Sequence, residues 1–275
     1  MRFSPAFDLN EIIMKGILTM TNTNESLQNK AGMTEELFRE LTVEADKGSA
    51  ETQNELGDCY YKGVGTVKSL SEAMKWYQKA AEQGYAEAEL NLGKCYSKKR
   101  DYAEAVKWFR KAAEQGNAKA QFSLANCYFD GHGVDYDDKE GVKWLRMAAE
   151  QGIAEAQCSL GNCYFDGTGV QPDHAEGARW YIKSASQSNT YAACNLADCY
   201  FEGTGVEQDY EKAAKWYRLA AEDGDRDAQY KLGNCYSNGY GVEKDEEEAL
   251  RWYKKAARRG HPEAKRKYAM ANVRY

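Results

Sequence analysis

Proline and histidine are scarce, at three residues each in a chain of 275. No apolar run approaches the roughly 20 residues needed to span a membrane. With 12% aromatic and 29% charged residues, the scarcity of proline describes a soluble helical chain rather than a disordered or disulfide-dense one. Asp8 and Glu11 interrupt the apolar residues near the start (Phe7, Leu9, Ile12 and Ile13), and no small-residue cleavage site follows, so no secretory signal is expected. A cytoplasmic location follows as the expectation, with export as the alternative. Met20 opens a polar stretch, and residues 1–33 are expected to be disordered or a start-site extension. His132, His174 and His261 lack the paired spacing of a zinc site. No nucleophile with a neighbouring base is visible. A chain without metal, cofactor or catalysis is therefore expected. The net charge of −6 argues against non-specific binding to nucleic acid.

What the sequence does contain is a repeat. Tryptophan occurs only at Trp76, Trp108, Trp144, Trp180, Trp216 and Trp252, with one spacing of 32 and four of 36 residues. Cys-Tyr recurs in register at Cys59, Cys95, Cys127, Cys163, Cys199 and Cys235, each with a leucine three residues earlier. Ala88, Ala120, Ala156, Ala192 and Ala228 stand seven residues before the cysteine, and glycine or alanine stands two before it. At 100° per residue these positions cover a broad arc and leave one narrow polar stripe, the pattern of a helix packed on several sides.

A second helix follows in each copy. Its N-cap stands seven residues before Trp, at Ser69, Asp101, Asp137, Asp173, Asp209 and Asp245. Glutamate three residues later completes a capping box in every copy but that of Lys212. Gly84, Gly116, Gly152, Gly224 and Gly260 end these helices, with Ser188 in the remaining copy. A G-x-G turn joins the two helices everywhere except in the second repeat, whose shorter connection explains the single 32-residue spacing. None of these turns continues as G-x-G-x-x-G after a strand, so they are read as geometry rather than as phosphate cradles. Phase assigns a capping helix to 34–48, six repeats to 49–84, 85–116, 117–152, 153–188, 189–224 and 225–260, and a second capping helix to 261–275. The six tryptophans are expected to pack between repeats, where truncating one would cost about 3–5 kcal/mol.

The unit A-Q-C-S-L-G-N-C-Y-F-D-G-T-G-V followed by W-Y-x-K-A-A-E-x-G resembles the Sel1-like repeat family, relatives of the tetratricopeptide repeats, over about 240 residues. The resemblance implies an all-α fold, a right-handed α-solenoid of antiparallel helix pairs, acting as a scaffold or adaptor that binds a protein or peptide in its concave groove. It also permits a secreted, host-facing protein of the same fold. A cysteine-rich branch of the family is secreted, bridges the helices of each repeat by disulfides and is associated with penicillin binding and β-lactam hydrolysis. The second helices here contain no cysteine, so that bridge cannot form and the enzymatic reading loses its support. Equivalent cysteines on stacked helices stand roughly 8–10 Å apart, beyond the reach of a bridge. Reduced, buried thiols are expected, with disulfides the alternative.

The polar stripe of the first helices supplies the candidate binding residues: Asp58, Lys94, Asn126, Asn162, Asp198 and Asn234 just before the cysteine, with Asn91 and Asn195 among the residues four before it. Side-chain amides both donate and accept, which suits an extended peptide backbone. The other reading is that they serve bonds between helices or face water. On the second helices, Lys75, Lys107, Lys143, Arg179, Lys215 and Arg251 precede each Trp and, in the copies that have the capping-box glutamate, are expected to form exposed i, i+3 pairs with it. From Arg251 onward nine basic residues face a single acid, Glu263, either as a solvated cap or as a patch for an acidic partner. A monomer is expected.

Overall fold

A computed structural model describes residues 35–272, all of its regular structure helical. The expected extension at residues 1–33 lies outside the described residues. The chain divides into two compact units, one ending at Gln115 and the other beginning at Gly116.

In the first unit α1 (Glu35–Asp46) is a half-repeat, followed by the pairs α2/α3 (Ala50–Lys62, Leu70–Glu82) and α4/α5 (Ala86–Lys98, Tyr102–Glu114). The second unit holds four pairs: α6/α7 (Ala118–Asp130, Asp138–Glu150), α8/α9 (Ala154–Asp166, His174–Ala185), α10/α11 (Thr190–Glu202, Tyr210–Glu222) and α12/α13 (Arg226–Asn238, Glu246–Arg258). The half-repeat α14 (Pro262–Asn272) closes it. Within each unit, consecutive helices pack on one another.

Local chemistry sets the helix limits. All six N-cap residues read from the sequence accept the backbone N–H three residues on, from Ser69 with Glu72 at 3.3 Å to Asp209 with Lys212 at 2.9 Å. Four first helices are capped in the same way by Ser49, Asn117, Asn189 and Asp225. The first glycine of each G-x-G turn sits at left-handed φ, as at Gly203 (φ 74°), and returns its N–H to the carbonyl of the repeat cysteine. Ser188 holds a left-handed φ of 64° in place of the missing glycine.

The second glycine of the turn has a different role. A Cβ on Gly169, Gly205 or Gly241 would collide with the carbonyl oxygen of Asp138, His174 or Tyr210, at the start of the second helix of the preceding repeat. This glycine therefore sets how closely successive repeats approach.

The core places the aromatic or leucine residue that follows each Trp deeper than the indole itself. Tyr77, Phe109, Leu145, Tyr181, Tyr217 and Tyr253 are all buried. Trp108, Trp144, Trp180 and Trp252 are buried, whereas Trp76 and Trp216 are half-buried. Trp76 joins the cluster of Leu41, Ala45 and Leu56, and Trp108 joins that of Tyr77, Ala80 and Leu92, so these two indoles reach back to the element before their own repeat. Lysine ammonium groups lie over the faces of Trp76, Trp180 and Trp252 at 3.7–3.8 Å, covering the edge the core leaves open.

Two substitutions should move stability in opposite directions in chemical denaturation. Gly205→Ala forces a methyl into the His174 carbonyl and should cost about 2 kcal/mol. Ser188→Gly relieves a left-handed serine and should gain about 1 kcal/mol. A Gly205→Ala protein as stable as the parent would disprove the close-approach role.

Candidate functional site

The polar stripe of the first helices is built by the core beneath it. Glycine two residues before the repeat cysteine leaves no side chain, and the aromatic ring of the second helix lies in the space: a Cβ at Gly57, Gly93, Gly161 or Gly233 would come within 2.5–2.6 Å of the rings of Tyr77, Phe109, Tyr181 or Tyr253. Where that residue is tyrosine, its hydroxyl reaches the stripe and donates to the residue just before the cysteine. Tyr77 bonds Asp58 at 2.6 Å, Tyr181 bonds Asn162 at 2.7 Å, Tyr217 bonds Asp198 at 2.5 Å and Tyr253 bonds Asn234 at 2.8 Å. Burial, followed by the facing carboxylate charge, pushes the Tyr77 and Tyr217 phenols up, so both remain donors.

The next repeat adds a second bond to the same acceptors. Asn195 Nδ2 donates to Asn162 Oδ1 at 3.2 Å, Lys231 Nζ reaches both Asp198 oxygens at 2.6–2.7 Å, and Lys267 Nζ reaches Asn234 Oδ1 at 3.2 Å. In the first unit Asn91 donates instead to the buried Asn54, at 3.0 Å. Of the eight candidate residues, Asp58, Asn162, Asn195, Asp198 and Asn234 thus belong to one recurring network. Lys94 and Asn126 are exposed and receive no tyrosine hydroxyl, because Phe109 and Leu145 stand where the other repeats have tyrosine. The oxygens of this stripe serve the bonds between helices, as one of the two readings of the sequence had it. The amide nitrogens of Asn162 and Asn234 have no partner among the described residues.

A second polar row runs inside the repeats and escaped the sequence reading. Gln53, Gln121, Gln157 and Gln229, with Glu89 in the second repeat, are buried six residues before the cysteine. Gln53, Gln157 and Gln229 donate to the carbonyls of Ala45, Ala149 and Ala221 at the end of the previous second helix, at 3.0–3.1 Å. The residue seven after Trp, at the end of the following second helix, closes the bond from the other side. Gln83, Gln115, Gln151 and Gln187 donate to Gln53, Glu89, Gln121 and Gln157 at 2.7–2.8 Å. The sequence signal was present: glutamine recurred on the apolar arc, a place where an unpaired amide is costly.

All eight cysteines are buried free thiols. Burial above all pushes them up, to about 12 for Cys59, Cys194 and Cys199 and to about 11 for the other five. A nucleophilic thiol requires the opposite shift. Five members of the basic row before Trp pair with the capping-box glutamates: Lys75, Lys143, Arg179 and Arg251 meet Glu72, Glu140, Glu176 and Glu248 at 2.5–3.0 Å, and Lys107 meets Glu104. In the repeat without that glutamate, Lys212 pairs with its N-cap Asp209 at 3.0 Å. These cations are mostly exposed, so screening by water and salt keeps the contribution of each pair small. Among the described residues no cluster of acids, histidines and cysteines could hold a metal ion, and no helix is long and apolar enough to cross a membrane.

The model of the Sel1 repeat matches residues 50–85, 86–117, 118–153, 154–189, 190–225 and 226–261, each one residue later than the boundaries read from the sequence. The chain belongs to the Sel1 repeat family. It is similar to a protective antigen of uropathogenic Escherichia coli with an SLR fold, at 39% identity and a TM-score of 0.81 over 84% of this chain and 50% of that one. It is also similar to a Sel1 repeat protein of Oxalobacter formigenes, at 35% identity and a TM-score of 0.73, covering 89% of this chain and 96% of the other. A putative Sel1-like repeat-containing protein of Acanthamoeba polyphaga mimivirus is 41% identical over 51 residues, 18% of this chain and 10% of the viral protein. The chain thus spans half the length of the E. coli protein and a tenth of the viral one. Sel1 repeat proteins generally serve as scaffolds for protein interaction.

Two measurements check this chemistry. Iodoacetamide should modify the thiols slowly in the native protein and all eight after denaturation; rapid native labelling would contradict their burial. Burial pushes the Glu55 carboxyl on the first-unit stripe from 4.5 up to about 7, with Glu51 and Asp58 adding to the shift. The folded state therefore holds that proton more tightly than the unfolded chain. Its contribution to stability is complete below pH 4.5 and is lost as pH rises towards 7. Glu55→Gln should flatten that decline in denaturation midpoints, and an unchanged slope would assign it elsewhere.

Proposed function

We propose that this Sel1 repeat chain is a non-enzymatic scaffold that holds an extended protein or peptide segment along the polar stripe of its first helices. The observation that carries the reading is the anchored asparagine. Asn162 and Asn234 spend their carbonyl oxygens on Tyr181 and Tyr253 and on the next repeat. Each side chain is thereby fixed while its two N–H donors are left for a ligand. Donors fixed before binding lose little freedom when they meet a peptide carbonyl, which favours affinity without demanding one side-chain sequence. Asn126, exposed and outside the tyrosine network, offers the same group in an adaptable form. Asp58, Asn91, Lys94, Asn195 and Asp198 vary the charge along the stripe and would select among partners. Eight buried thiols suit a reducing compartment, and a cytoplasmic, monomeric protein with a protein partner is the corresponding proposal. Similarity to a protective antigen of a uropathogen favours a second reading of the same scaffold, displayed to a host.

The test separates binding from folding. Asp58 and Asp198 already accept the tyrosine hydroxyl in two repeats, so Asn126→Asp, Asn162→Asp and Asn234→Asp together keep an acceptor and remove the donors. The parent should enrich binders from a display library of random peptides. The triple variant should melt within a few degrees of the parent and fail to retain those binders. Equal retention by both proteins would overturn the proposal.

A further inference from the structure

The glutamine row is interrupted in the last repeat. In the first four repeats the residue seven after Trp, at the end of the second helix, is a glutamine whose amide fills the space beside the buried side chain of its own first helix, at 2.7–2.8 Å. In the sixth repeat that place belongs to Arg259, whose guanidinium lies over Gly224 instead. Gln229, 3% exposed, still donates its Nε2 to Ala221 at 3.0 Å. Its Oε1 is buried and has no hydrogen-bond partner. A buried acceptor in that condition costs free energy until a donor arrives.

The vacated space is a hollow of about 350 Å³ with Gln229 in its wall and Lys255, Arg258 and Arg259 around it against one acid, Glu222. The Lys255 ammonium rests over the Trp252 ring at 3.7 Å. The Arg258 and Arg259 guanidinium groups have no ion pair or hydrogen bond among the described residues. Gly224 and Arg259 also border a neighbouring hollow, whose acids are engaged elsewhere: Asp223 by the Thr190 hydroxyl, Asp225 as the N-cap of α12, and Asp227 beside His261 and Arg226. Positive charge therefore dominates where Gln229 lies.

We propose that this hollow is a binding site, distinct from the polar stripe, for the C-terminal residue of a peptide chain. The ligand must bring an N–H donor to Gln229 Oε1, as a glutamine amide does in the first four repeats, and a negative charge to two unpaired guanidinium groups. A terminal peptide residue carries both, its amide N–H standing one carbon from its carboxylate. A carboxylate ion such as acetate lacks the donor, and an internal peptide residue lacks a carboxylate on the Cα that bears its amide N–H. Arginine suits a carboxylate through paired N–H donors, and Arg259 is placed to grip it from the lip.

The 275-residue chain would be titrated with N-acetyl-alanyl-alanine as the free acid, as its C-terminal amide, and with acetate alone. NMR would follow the Gln229 side-chain amide and the Gly224 backbone N–H. The free acid should give a saturable shift of both signals, with the amide form and acetate each at least about tenfold weaker. Arg259→Gln, which restores the plug of the earlier repeats, should abolish that shift while melting no lower than the parent. Equal affinity for acid and amide, equal affinity for acetate, no saturation with the free acid, or undiminished binding to Arg259→Gln would each overturn the assignment.

Discussion

The structure depends on a large side chain filling the gap that a glycine or alanine leaves. Two residues before each repeat cysteine the first helix gives up its side chain or keeps only a methyl group, and the residue after Trp on the second helix fills the gap. That contact brings the two helices of a repeat close enough for alanine and leucine to complete the core. The same side chain, when it is tyrosine, carries a hydroxyl through to the outer stripe and sets the orientation of an asparagine or aspartate there. Packing and surface chemistry are thus parts of one interaction: the residue that seals the hairpin also fixes the group a partner would meet. Repeats with Phe109 or Leu145 keep the seal without a hydroxyl, so Lys94 and Asn126 receive no tyrosine bond.

Bonds between repeats follow a similar economy. Buried glutamine amides tie the end of one second helix to the next first helix, and the residue at the end of the following second helix completes the pair. The second glycine of the turn then limits how near the neighbour stands. None of these devices depends on a large apolar surface, which suits a repeat whose core is rich in alanine. A stack built in this way grows by adding identical joints, and its departures from regularity are informative for that reason. Ser188 bears a strained backbone, Ala193 drops out of the glutamine row, and Arg259 opens it.

Much of this was legible in the sequence because periodic features constrain one another. The Trp and Cys-Tyr registers, the six N-caps and the left-handed glycines all follow from local rules of helix geometry, and they fixed the order of helices. Side-chain partnerships were harder to read because they join residues 19, 30 or 33 positions apart, which no helical period links. One was nevertheless written in the chain. Tyr77, Tyr181, Tyr217 and Tyr253 accompany Asp58, Asn162, Asp198 and Asn234, whereas Phe109 accompanies Lys94. The tryptophans drew attention by their rarity, although the smaller residues beside them lie deeper. The glutamines were overlooked because a polar residue on an apolar arc reads as noise until its partners are seen.

The two kinds of turn are not equivalent. The G-x-G turn is wedged against its neighbour, whereas a Cβ at Gly84 or Gly152, between one repeat and the next, would have no atom within 4 Å. Extra chain spliced into the first kind would pry the neighbours apart; spliced into the second, it would hang free. Lineages that elaborate such an array, and engineers who graft reporters onto it, have their tolerant seam at the joints between units rather than at the hairpin tips.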